Sequence, residues 1–233
     1  MTGTPEFEAL YEQHVLTAYD HQMHLNEAVH GSWDLDNELG QVTFSHDDRR
    51  FVTPVQMLGT QSAVDGTWLW SWANERSDIP EAQLQAVKAI RDFGYAHGII
   101  ELTEPMITAE GHRLAMVAVG LTKLSGYYRC PYDGGAAFVL LVHPDAWSSP
   151  KVPVVRIASV LKHLITQVEL THPIRSLLGW GRFYGLAEAA TDGALRLVAD
   201  NGDAVEVQFD ESRKIVGIGL HVEPRTAEML DPE

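Results

Sequence analysis

The sequence predicts an α+β fold: an antiparallel sheet with packed helices, followed by a subdomain in which a helix lies on a four-stranded β-meander. Three observations carry this expectation. Apolar residues recur at period two in short segments, several of them separated by Asp-Gly or Asn-Gly, the pattern of antiparallel hairpins. Other segments place apolar residues on one face at helical stepping. A proline- and serine-rich stretch, HPDAWSSPKVP at 143–153, interrupts both patterns and marks a boundary.

Residues 5–29 predict the first helix, with Phe7, Leu10, Tyr11, Ala18, Leu25, Ala28 and Val29 on one face and Gly31 as a natural stop. Strand signals follow at 40–45 and 50–59, joined by the polar turn 46–49. Pro54 lacks a ladder donor, so an edge position or a bulge is expected there. A third strand, TWLWSWAN at 67–74, follows the turn pair Asp65-Gly66. Residues 77–94 predict a helix opened by an Asp78/Glu81 capping box with Pro80 in its first turn. Leu84, Val87 and Ile90 form its buried stripe, and Gly94 either ends it or is tolerated inside it.

Residues 112–124 are apolar almost all round, which predicts a buried helix with Gly120 allowing close packing. A second hairpin joins 127–132 to 137–143 through Asp133-Gly134-Gly135. Beyond the boundary, 154–170 reads as a helix with Val155, Ala158, Leu161 and Ile165 at helical spacing, and 173–178 as a short helical piece. Strands at 182–189, 194–200, 204–210 and 214–222 complete the meander. The expected domains are therefore 1–147 and 151–222, with 223–233 a flexible acidic tail.

The chain has 233 residues, 45% of them hydrophobic, and a net charge of −15 from 17 basic and 32 acidic residues. That balance argues against binding a nucleic-acid backbone, which needs cationic residues, and disfavours anionic membranes. It suits a basic protein partner through complementary fields, although acidity also serves solubility alone. The longest apolar run, 136–142, is seven residues, far short of a membrane span. The N-terminal stretch has no signal-peptide pattern. With one cysteine, Cys130, neither an internal disulfide nor a multi-cysteine zinc site can form, and a cytoplasmic location is expected.

Trp68, Trp70 and Trp72 stand two apart, so a strand would place all three on one face. They are either core or the inner wall of a concave pocket, since so much apolar surface is rarely left exposed. Asn74 ends that stripe and would need hydrogen-bond partners if buried. His14 and His21 fall on the apolar face of the first helix, with His24 beside it. Histidines in such a place are usually satisfied core residues, no HExxH pattern is present, and no metal or cofactor is expected. Cys130 lies among aromatics, where a buried inert thiol is the simpler reading. The nucleophile-elbow, P-loop and dinucleotide-binding patterns are absent, so whether a reaction is catalysed stays open.

The matching residues Gln56, Leu58, Gly59, Thr60, Trp68, Trp70, Trp72 and Asn74 resemble the core of a bacterial family of unknown function. Its members carry a strand ending in Gln-x-Leu-Gly-Ser/Thr, then Trp-x-Trp-x-Trp-x-Asn, then a helix. The resemblance spans about 30–142, more weakly 209–215, and implies no activity. The C-terminal helix and meander faintly resemble cystatin-like or NTF2-like rolls, a likeness of architecture alone.

Two functions fit these observations. One is an acidic binding protein that recognises a protein partner, like an immunity protein or inhibitor. The other is a small-molecule-binding protein or enzyme. Its pocket would be walled by Trp68, Trp70 and Trp72, with Asn74, Tyr127, Tyr128, His14 and His21 supplying polar groups.

Overall fold

A computed structural model describes residues 3–29, 31–142, 154–167 and 170–224. The chain divides into two compact units, Met1–Ser149 and Pro150–Glu233. The fold is α+β, with a seven-stranded antiparallel sheet in the first unit and a four-stranded one in the second.

In the first unit, α1 (Pro5–Ala28) starts where Thr4 accepts a hydrogen bond from the Phe7 N–H and Pro5 occupies the first turn. Gly31 follows at φ +92°, pressed against the Ser45 carbonyl, where no side chain fits. Strands β1 (Ser32–Asp36), β2 (Gln41–His46), β3 (Arg49–Ser62) and β4 (Thr67–Trp70) come next. Two helices, α2 (Gln85–His97) and α3 (Ile100–Thr103), precede β5 (Met106–Thr108). The unit continues with α4 (Gly111–Thr122) and the hairpin of β6 (Gly126–Tyr132) and β7 (Gly135–Leu141).

Strand β3 is the spine of the sheet. Its residues 49–54 pair with β2 and 55–62 with β7, while Gly59, Thr60 and Gln61 also pair with β4. Pro54 sits just before the β7 ladder begins at Val55, so its missing donor breaks nothing. The irregularity lies instead between Met57 and Gly59. Helices cover one face, where Leu58, Trp68, Trp70, Phe138 and Leu140 pack against α1, α2 and α4. On the other face Val55, Met57, Cys130, Ala137 and Val139 meet Leu25 and the β1–β2 hairpin.

Several expectations need correction. The strand at 67–74 ends at Trp70, and Ser71–Ala73 form a 3-10 turn, so Trp72 is not a strand residue, although it packs half-buried against the core that holds Trp68 and Trp70. Asp78 does not cap a helix; it stands at φ +43°, and α2 begins only at Gln85. The cap comes from elsewhere: the Ala86 N–H donates to Gln56 Oε1 on β3, and Gln56 Nε2 donates to the Ala82 carbonyl. Of the two alternatives for Gly94 the second holds: it lies inside α2, where a Cβ would meet Leu102 and Thr103 of α3. Ala28, expected on the buried face, is exposed. Strands β1 and β5 carry no strong period-two signal and add to the expected set.

In the second unit, α5 (Val154–Gln167) and α6 (Pro173–Phe183) precede β8 (Ala187–Thr191), β9 (Ala194–Val198), β10 (Ala204–Phe209) and β11 (Ile215–His221). These strands form a meander in sequence order. Gly193 and Gly202 supply the positive φ that the turns require. Two corrections arise here. The buried stripe of α5 is Val154, Ile157, Ala158, Val160, Leu161 and Leu164, whereas Val155 and Ile165 are exposed. Residues 182 and 183, expected in a strand, finish α6. The boundary stretch 143–153 and nearly all of the expected tail lie outside the described residues.

Candidate functional site

The face of the first sheet turned away from the helices holds a cavity of about 730 Å³, within the range that takes small organic ligands. Its floor is Met57, Cys130 and Ala137, all buried. One wall is the β1–β2 hairpin, through Trp33, Leu35, Asn37 and Glu38; the other is the segment from Ser71 to Gln83. Thr60 and Asn74 also reach it. It is built because β3 alternates its side chains between faces and shifts that alternation at the irregularity between Met57 and Gly59: Leu58 enters the helix-covered core, while Met57 and Thr60 turn to the cavity.

Gln83 is the telling residue. It is only 6% exposed, and its Nε2 donates to the Asn37 carbonyl at 2.8 Å. That bond fixes which end of the amide is the carbonyl, and Oε1 is buried with no hydrogen-bond partner. Gly40, at φ +63°, lies so close to Gln83 that a Cβ would crowd the amide. An acceptor left unpaired in such a place costs free energy unless something donates to it.

Burial pushes the Cys130 thiol up to about 12, so it stays protonated at neutral pH and offers no thiolate nucleophile. Among the described residues the cavity lining contains two carboxylates, Glu38 and Asp78, and no histidine, lysine or arginine. Among the described residues no group of three or more His, Cys, Asp or Glu is placed to hold a metal ion.

The eight residues singled out from the sequence do not converge. Asn74 alone lines the cavity. Trp68 and Trp70 are fully buried on the opposite face, edge to face at 5.4 Å, with Trp70 Nε1 donating to the Glu101 carbonyl at 3.1 Å. Trp72 is half-buried beneath the Arg91 guanidinium, 5.5 Å from its ring centre. Tyr127 lies in the helix-side core, and its hydroxyl pairs with His112 Nδ1 at 2.9 Å. Burial raises the Tyr127 pKa and lowers that of His112, so both are neutral. Tyr128 points the other way, packed edge-on against Phe44 and Trp33. His21 Nδ1 lies 3.2 Å from the Leu124 carbonyl. His14 packs against Gly120 of α4, which has no Cβ to obstruct it, and burial lowers its pKa to about 4.

Sequence reasoning missed Gln83, Trp33 and Cys130 as neighbours. Gln83 carries no local signal: its partners, Asn37 and Gly40, come from a hairpin over forty residues earlier. The motif residues, by contrast, acquire physical reasons. Gln56 caps α2, Leu58 fills the core, Gly59 makes room for Trp68, and Thr60 and Asn74 face the cavity.

Among the described residues no helix is long and apolar enough to cross a membrane. No curated protein matches the chain. No solved structure matches it either. A family model described as a family of unknown function (DUF6882) matches residues 8–144, more than half of the chain. The protein therefore belongs to that uncharacterised family.

Proposed function

We propose that the first unit is a binding module for a small molecule, seated in the cavity between the β1–β2 hairpin and the segment from Ser71 to Gln83. The observation that carries this reading is a cavity of ligand size with an apolar floor and polar side chains in its walls. The apolar floor supplies burial, and Thr60, Ser71 and Asn74 supply polar groups that would fix orientation. A single cysteine, free and buried, fits a reducing cytoplasmic setting.

A thermal-shift screen of small organic fragments tests it, with Ala137→Leu as the counter-screen because that change fills the cavity floor. Ligands of the cavity raise the melting temperature of the parent by binding the native state alone and leave the variant unmoved. A screen whose hits shift both proteins equally overturns the reading.

The net charge of −15 favours a second reading, a basic protein partner. That reading predicts a complex whose association slows steeply with added salt, and it requires no ligand in the cavity.

A further inference from the structure

Resting on the cavity reading, we propose that the ligand is a small organic cation with an apolar body: an ammonium or guanidinium group balanced by Glu38 and Asp78, with the body lying on Trp33 and Met57. Four features of the wall point the same way. Among the described residues its only charged side chains are the two carboxylates, and both are exposed. Neither has an ion-pair partner among the described residues, whereas Glu8, Glu81 and Asp92 do. One buried polar group of the wall, Gln83 Oε1, is an acceptor without a donor. Trp33 and Tyr132 add aromatic faces, which attract cations through the ring quadrupole.

An anion would face two like charges and no compensating cation. A neutral apolar molecule would leave both carboxylates unbalanced and draw nothing from the ring quadrupoles. A ligand with positive charge meets both demands. The field of the whole chain, net −15, steers such a ligand inward.

Three probes of matched shape separate these cases in calorimetric titrations of the full chain: 2-phenylethylamine, 2-phenylethanol and 3-phenylpropanoate. The amine is expected to bind about tenfold tighter than the alcohol, the sum of a partly exposed ion pair and a cation–aromatic contact. The carboxylate is expected to bind weakest. In the Glu38→Gln/Asp78→Asn double variant the amine's advantage falls to within about threefold. Ala137→Leu, or Thr60→Leu should the first fail to fold, removes binding of the amine.

If all three probes bind alike, or the carboxylate binds best, and Ala137→Leu still blocks them, the cation inference is overturned while the cavity reading stands. Amine binding that survives the filled cavity shows a surface charge effect and overturns the inference. No binding by any of the three at millimolar concentration overturns both.

Discussion

Gly59 lies against the ring of Trp68 so closely that a Cβ there would overlap the Cζ2 and Cε2 atoms. Space for the indole is thus made by the absence of a side chain on β3. The indole in turn meets Trp70 at 5.4 Å and Phe138 at 5.2 Å, both edge to face, an arrangement favoured by the ring quadrupoles. Gly59→Ala should force this cluster apart and destabilise the first unit by about 2–3 kcal/mol, the usual cost of overpacking a tight core. Urea unfolding followed by tryptophan emission measures it. An unchanged midpoint would mean that the cluster repacks freely.

His14 is held neutral by burial, its pKa lowered from 6.5 to about 4. The unfolded chain therefore binds a proton between these values that the folded chain does not, and stability falls as pH drops through that window. The contribution of this residue amounts to roughly 2 kcal/mol lost between pH 7 and pH 5. His14→Gln has no imidazole to protonate, so its unfolding free energy should depend less on pH over the same range. Parallel slopes for the two proteins would sink this account.

Cys130 lines the cavity yet is 2% exposed, with its thiol pushed up to about 12. Ellman's reagent at pH 8 should leave it unmodified for hours in the folded protein and react within minutes in guanidinium chloride. Rapid reaction in the native state would show that the cavity floor opens to solvent.

Gln56 is the tertiary cap of α2, since its side chain accepts from the Ala86 N–H and donates to the Ala82 carbonyl. Gln56→Leu removes both bonds and should cost about 1–2 kcal/mol. Amide exchange should localise the loss: residues 85–88 lose protection before those of α4 do. Uniform loss across the unit would contradict a capping role.

Much of this architecture was legible because it rests on local pattern. Period two and paired turn residues gave β2, β6, β7 and the meander, helical spacing gave α1, and a stretch apolar on all sides gave α4. The failures share one cause, which is that a partner distant in sequence decided the outcome. The stretch 71–74 looked like more strand because Trp72 keeps the period, but β4 pairs only as far as Trp70. Asp78 and Glu81 had the spacing of a capping box, yet the α2 cap is on another strand. The candidate site suffered in the same way. Tryptophans and histidines attracted attention as residue types, whereas the cavity is made by Gln83, Trp33 and Met57, which meet only after the β1–β2 hairpin closes over the sheet.

The long reach of α1 has a bearing on how the chain acquires its structure during synthesis. Glu8 pairs with Arg113, Thr4 with Glu101, and Gln22 Oε1 accepts from the Tyr127 N–H. Each partner is added about a hundred residues after the helix, so at ribosomal speeds the helix waits roughly 5–20 s for them. Through that interval Leu25 can meet the β1–β2 hairpin, but the buried face of α1 still lacks α4 and β6, on which it packs. Nascent chains arrested before residue 111 should therefore show the first helix captured by holdase chaperones, and those carrying the β6–β7 hairpin beyond the exit tunnel should have released it.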